Sequence, residues 1–75
     1  MESYKNLSGT SAVSAFEQGA DYIKVRFSDG SVYHYTHSSA GAGNIAHMKA
    51  LAVRGLGLNS FINTTVKYKY ASKSR

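Results

Sequence analysis

The sequence predicts an α+β domain in which one helix packs on a three-stranded antiparallel sheet. An Asp-Gly pair at residues 29–30 separates two runs, 22–27 and 32–35, in which apolar and polar side chains alternate as in half-buried strands. Further along, apolar residues recur at helical spacing between residues 45 and 52. Because a hairpin alone is barely stable in water, we expect the helix to cover one face of the sheet.

The segment before the hairpin supplies the first strand of the predicted sheet. Residues 1–11 are polar and rich in Ser, Gly and Thr, and we expect them to be flexible. Residues 12–16 are typical of a short strand, and residues 17–21 have the composition of a turn. Three antiparallel strands in meander order are therefore the simplest arrangement.

The register of the hairpin decides which face carries its tyrosines. A two-residue loop at residues 29–30 would place Tyr33 and Tyr35 on the open face, beside Lys24 and Arg26. The hairpin would then present a basic aromatic surface to solvent.

A three-residue loop at residues 28–30 gives a different result, because it pairs Val25 with Tyr33 and Ile23 with Tyr35. The apolar sets of the two strands then coincide, and for that reason we favour this register. It places both tyrosines mostly in the core. The solvent face of the hairpin then carries Lys24, Arg26 and His34.

One helix is predicted from Asn44, a good N-cap residue, to Arg54, with Gly55 closing it. His47 and Arg54 point away from the sheet in this prediction. The stripe expected to cover the sheet consists of Ile45, Met48, Leu51 and Ala52.

The segment 61–70 fits two structures. Its β-branched and aromatic residues, with alternating Lys and Tyr at the end, are typical of a half-buried strand. Alternatively, Asn59 or Ser60 caps a short helical turn. We favour the helical turn followed by extended chain from Lys67, with a flexible tail at residues 71–75.

Two blocks of the sequence resemble the KTSC domain, named for the C-terminus of some lysyl-tRNA synthetases and also found as short stand-alone proteins. The first is the run from Ile23 to Tyr35, which ends in Tyr-x-Tyr, and the second is the run from Phe61 to Tyr70. The resemblance spans roughly residues 8–70 and implies a small domain for which RNA binding is the usual suggestion. Its motif residues here are Phe27, Gly30, Tyr33, Tyr35, Asn63 and Tyr70.

The chain departs from the KTSC pattern at two places. Residues 38–43 are Gly-rich where the family usually has a short proline-containing segment, and Asn59 stands where a glycine is common. Both departures fall in predicted loops.

The charge distribution predicts a polyanionic partner, either RNA or another phosphate-bearing ligand. The net charge is +5, and all four acidic residues precede Gly30 whereas six basic residues follow it. A basic, uncompensated C-terminal part attracts phosphate, although it also serves simply as a solubilising surface. The residues predicted to contact phosphate are Lys24, Arg26, His34, Lys49, Arg54, Lys67 and Lys69.

A second phosphate site is suggested by Gly41, Gly43 and Asn44, which fit a Gly-x-Gly-x-x-Ala pattern before the predicted helix. Backbone N–H groups at a helix N-terminus bind phosphate readily. The chain has no room for the repeated βαβ units of a dinucleotide fold, so we favour a flexible loop followed by an N-cap.

Several classes of function are not expected from this composition. The chain has no cysteine, which fits a cytoplasmic protein, and no export signal or apolar run of membrane-spanning length is visible. His34 and His37 fall on opposite sides of a strand, so no metal site is predicted. No pair of carboxylates shares an element and no Ser-His-Asp arrangement is implied, so no catalytic site is predicted. No cofactor is expected.

The sequence therefore predicts a single domain, residues 1–75, acting as a non-enzymatic module that binds RNA or single-stranded nucleic acid through a basic C-terminal surface. The alternative is a small, phage-type homo-oligomeric protein that binds and sequesters a nucleotide or inhibits a host protein.

Overall fold

A computed structural model describes residues 1–74 and shows an α+β fold with a five-stranded antiparallel sheet in the order β1-β2-β3-β4-β5. The helices lie between the fourth and fifth strands along the chain. None of the helices in the described residues is long and apolar enough to cross a membrane. The strands are β1 (Glu2–Ser3), β2 (Val13–Gln18), β3 (Tyr22–Phe27), β4 (Val32–Thr36) and β5 (Ser72–Ser74). The helical elements are α1 (His37–Ala40), α2 (Ala42–Arg54), α3 (Leu58–Phe61) and a π-helical turn (Ile62–Val66).

The prediction of three strands is wrong, because β1 and β5 extend the sheet at its two edges. These strands have two and three residues, too few for an alternating pattern to be visible in the sequence. Both lie in segments expected to be flexible, 1–11 and 71–75, which the structure instead pairs with their neighbours; residue 75 lies outside the described residues. After β1, Tyr4 is buried, with 6% of its surface exposed.

The hairpin of β3 and β4 has the three-residue loop that the sequence analysis favours. Val25 pairs with Tyr33, and Ile23 pairs with Tyr35. Gly30 adopts the left-handed conformation, with φ of 90°, and its N–H donates to the Phe27 carbonyl at 2.9 Å. Tyr35 is completely buried and Tyr33 is half-buried, so the two tyrosines do face the core side of the sheet.

The core lies between one face of the sheet and the helices. The side chains of this core are shielded from water, and the burial of their apolar surface stabilises the fold. The sheet contributes Phe16, Ile23, Val25 and Tyr35, and the helical layer contributes Ile45, Met48, Ala52, Leu58, Ile62 and Val66.

The prediction of a single helix is also wrong, because the short helix α1 follows β4 without a loop. Thr36 caps it: the Thr36 hydroxyl accepts from the Ser39 N–H at 3.0 Å, and the Ser39 hydroxyl accepts from the Thr36 N–H at 3.0 Å. This reciprocal pair satisfies two backbone donors at the start of the helix.

The main helix α2 begins two residues before the predicted N-cap. Gly41 stands at the N-cap position, while the Asn44 side chain donates to the Ala40 carbonyl at 2.8 Å inside the first turn. The predicted C-terminus is confirmed, since Gly55 is left-handed with φ of 80° and its N–H donates to the Leu51 carbonyl.

The buried stripe of α2 is largely as predicted. Ile45, Met48 and Ala52 are buried, whereas Leu51 is half-buried at the edge of the stripe. His47 is exposed, and its ring contacts the ring of Phe61, with the two ring centroids 4.6 Å apart.

The two glycines at the ends of α2 should respond oppositely to alanine. Gly55→Ala should destabilise the protein by roughly 1–2 kcal/mol or more, because φ is positive there and the added Cβ would lie 2.5 Å from Lys5 Cβ. Gly43→Ala should stabilise it by about 0.5–1 kcal/mol, since Gly43 is helical and nothing lies within 4 Å of the added carbon. Urea denaturation measures both changes; a stabilised Gly55 variant would contradict the assigned C-terminus.

The helical alternative for the C-terminal segment is confirmed for residues 58–66. The helix starts after Gly57, not at a cap formed by Asn59 or Ser60, and continues into the π-helical turn. The prediction of extended chain from Lys67 is wrong: residues 67–68 form a turn, with Lys67 still in the right-handed helical conformation, and residues 69–71 are irregular chain before β5. Wide helical turns of this kind occur often at functional sites.

Candidate functional site

A cleft of about 390 Å³ opens where the hairpin loop, the π-helical turn and the chain before β5 meet. We call it the tyrosine cleft. Its aromatic lining consists of Phe27, Tyr33, Tyr35, Tyr68 and Tyr70. Its polar lining consists of Ser28, Asp29, Ser31, Asn63, Lys67 and Lys73, with Ala12 and Ile62 completing the wall.

Three tyrosine rings form a packed cluster in this cleft. The rings of Tyr33 and Tyr35 are nearly parallel, at 14° and with centroids 6.4 Å apart, because the two residues follow each other on one side of β4. The ring of Tyr70 meets both of them edge-on, at 5.1 Å and 6.4 Å. Such edge-to-face contacts are favourable, so the cluster holds the chain before β5 against the sheet.

The hydroxyl of Tyr35 is buried and has no hydrogen-bond partner. None of the Tyr35 surface is exposed, which places this residue at the floor of the cleft. Burial, together with the neighbouring Tyr33 and Tyr70, raises the pKa of the Tyr35 hydroxyl well above its ordinary value. The hydroxyl therefore stays protonated even at alkaline pH and can act as a hydrogen-bond donor.

Two lysines bring positive charge to the cleft. Lys73 lies on β5 beside Tyr33, and its ammonium group is 5.2 Å from the centre of the Tyr33 ring. The neighbouring Tyr33 side chain is the main cause of the raised pKa of Lys73. Lys67 follows the π-helical turn, with its ammonium group 5.5 Å from the centre of the Tyr68 ring.

Asp29 is the one carboxylate in the lining, and it is engaged within the hairpin loop. Its Oδ1 accepts from the Ser31 N–H at 2.9 Å and from the Ser31 hydroxyl at 2.6 Å. The loop is thus fixed at the edge of the cleft.

The seven residues predicted to contact phosphate do not form one surface. Lys67 lines the tyrosine cleft and Lys69 is exposed two residues further on. Lys49 is held at the turn between β2 and β3, where its ammonium group donates to the carbonyls of Gly19 and Ala20. Arg54 is exposed at the end of α2.

The remaining three, Lys24, Arg26 and His34, lie on the opposite face of the sheet, as the favoured register predicts. There the His34 ring meets the Tyr22 ring edge-on at 5.2 Å, and its Nε2 is buried without a partner. The Tyr22 hydroxyl donates to Glu17 at 3.0 Å, and this hydrogen bond is the main cause of its raised pKa. This face combines positive charge with a carboxylate.

The Gly-rich pattern at Gly41, Gly43 and Asn44 lies at the junction of α1 and α2, outside the lining of the tyrosine cleft. Gly43 is already within α2, and the Asn44 side chain is bonded to the chain itself. The arrangement is that of a tight helix-to-helix junction, and the predicted flexible loop is absent.

The residues on which the KTSC resemblance rests converge on the tyrosine cleft. Five of them line it, and Gly30 turns the hairpin loop at its edge: the five are Phe27, Tyr33, Tyr35, Asn63 and Tyr70. Charge-based reasoning missed Lys73 as a site residue, because its place beside Tyr33 depends on a strand with no visible sequence pattern.

No cluster of three or more His, Cys, Asp or Glu side chains suited to a metal ion occurs in residues 1–74. Comparison with protein-family models, curated proteins and solved structures finds no match to this chain.

Proposed function

We propose that this protein is a non-enzymatic module that binds single-stranded RNA, with the tyrosine cleft as the place where a base and its phosphates bind. The observation that carries the proposal is the meeting of five aromatic side chains with Lys67 and Lys73 around one open cleft. Proteins that bind single strands combine aromatic surfaces for the bases with positive charge along the backbone.

The size and charge of the cleft support this proposal. A volume of about 390 Å³ is within the range of sites for small molecules, and it suits a single base with its sugar. Tyr68, which is 78% exposed, offers a ring at the cleft edge for stacking. The net charge of +5 favours the approach of a polyanion.

The KTSC resemblance adds to the argument, since the family's usual suggested role is RNA binding and the motif residues surround this cleft. Membership of that family is part of the proposal. The cytoplasmic location and the absence of catalysis also remain predictions from the sequence.

The proposal is tested by removing the two cleft lysines together. In Lys67→Ala/Lys73→Ala, affinity for a single-stranded RNA should fall at least tenfold at low salt, and the slope of log K against log salt should become shallower by about 1.4, as for two lost phosphate contacts. Fluorescence anisotropy of a labelled oligonucleotide, measured over a salt series, gives both quantities.

The matched control is Lys24→Ala/Arg26→Ala, which removes the same charge from the opposite face of the sheet. It should change affinity much less. Equal losses for the two double variants would show that net charge, and not the cleft, determines binding, while undetectable binding of the wild-type protein would refute the proposed function.

The alternative, a homo-oligomer that sequesters a nucleotide, is favoured by one observation: the cleft volume matches a mononucleotide. Oligonucleotide length separates the two functions. If the RNA-binding proposal holds, affinity should rise from a mononucleotide to an oligomer, because Lys69 and other exposed cations then reach further phosphates. Tight binding of a mononucleotide by an assembly seen in light scattering would support the alternative.

A further inference from the structure

The geometry points to the Tyr35 hydroxyl as the group that reads the base in the tyrosine cleft, by donating a hydrogen bond to a carbonyl oxygen of uracil, cytosine or guanine. This inference rests on the proposed function and adds base selectivity to it. Adenine is the common RNA base that has no carbonyl oxygen.

The first argument is the unmet hydrogen-bonding capacity of Tyr35. Its hydroxyl is buried without a partner, although a buried polar group normally has one because an unpaired group loses its bonds to water. Phenylalanine at this position would fill the same core space without that cost. A hydroxyl kept at the floor of a ligand-sized cleft is therefore explained by a partner that arrives with the ligand.

The second argument concerns which kind of base fits. The groups that the cleft offers in addition to Tyr35 include the ammonium groups of Lys67 and Lys73, which only donate. The carboxylate of Asp29 already accepts two bonds from Ser31. The fixed donors of the two lysines favour a base edge with carbonyl acceptors, as in uracil, whereas the edge of adenine also presents an amino donor.

A path to the hydroxyl requires one side chain to move, because the Tyr35 hydroxyl is covered in the free protein. Tyr70 is the side chain in a position to move. Its half-buried ring packs edge-on against Tyr33 and Tyr35, and it belongs to residues 67–71, which form neither helix nor strand. Displacing this ring leaves the sheet pairing of β3 and β4 intact.

The test compares wild-type protein with Tyr35→Phe on labelled oligo(U) and oligo(A) of about ten nucleotides, a length that covers one small module. Wild-type protein should bind oligo(U) more tightly. Tyr35→Phe should weaken oligo(U) binding about fivefold, as for one lost hydrogen bond, and leave oligo(A) binding unchanged. The same variant should melt higher, by on the order of 5 °C, because it removes an unpaired buried group.

Tyr22→Phe is the matched control, since it removes a hydroxyl from the opposite face of the sheet, where that hydroxyl donates to Glu17. It should not raise the melting temperature, because the hydroxyl it removes is paired, and it should leave the ratio of the two affinities unchanged. Equal effects of Tyr35→Phe on both oligonucleotides, or none, would overturn base reading by Tyr35 while leaving the proposed function standing. Failure of the wild-type protein to bind either oligonucleotide would overturn both.

Discussion

Replacing Tyr35 with alanine is expected to cost roughly 3–5 kcal/mol of the free energy of unfolding, enough to unfold much of a domain this small. The side chain has no exposed surface and packs on Tyr33 and Tyr70 from the centre of the core face. Its deletion leaves a cavity that the surrounding strands cannot close. Thermal and urea denaturation, followed by circular dichroism, measure the loss.

Tyr68→Ala is the control for this substitution, because Tyr68 is 78% exposed. Its free energy of unfolding should change by less than about 0.5 kcal/mol. A Tyr35 variant as stable as the Tyr68 variant would be incompatible with the observed register, which sets Tyr35 against Ile23.

Met48→Ala is expected to cost about 2–5 kcal/mol, because Met48 is fully buried where α2 crosses the sheet. Leu51→Ala should cost less, since Leu51 is only half-buried. Val53→Ala, on the same helix but 52% exposed, serves as the control and should have little effect. Equilibrium denaturation of the three variants should give this order; a Val53 variant less stable than the Met48 variant would place the wrong face of α2 on the sheet.

The central hairpin was predictable because its determinants are local. The apolar sets on the two sides of residues 28–30 coincide in only one of the two possible registers, and that register is the one observed, with Gly30 at a positive φ. The edge strands β1 and β5 could not be predicted, because two or three residues are too few to show an alternating pattern. Their pairing also depends on residues that are distant in the sequence. The four-residue helix α1 was missed for the same reason. Thr36 and Ser39 form its reciprocal cap, but Ser39 is not the Glu or Gln by which such a cap is recognised in a sequence.

The candidate site was predictable only in part, because it joins two segments far apart in sequence, 27–35 and 62–73. The lysines selected because they follow Gly30 include Lys67, which lines the cleft. They also include Lys49, whose ammonium group donates hydrogen bonds to backbone carbonyls elsewhere. Charge alone cannot distinguish these cases, since both depend on where the strand and helix place the side chain. The motif residues of the KTSC resemblance come from both segments, and five of them line the cleft.

The position of β5 has a consequence for the dynamics of the cleft. This strand pairs with β4 only after the chain has passed through all the helices, and its three residues are exposed, so its local opening exposes little apolar surface and needs far less energy than global unfolding. Lys73 leaves the cleft whenever β5 opens. A ligand that Lys73 holds therefore stabilises the closed sheet by mass action, and amide hydrogen exchange at residues 72–74 reports how often the site is complete.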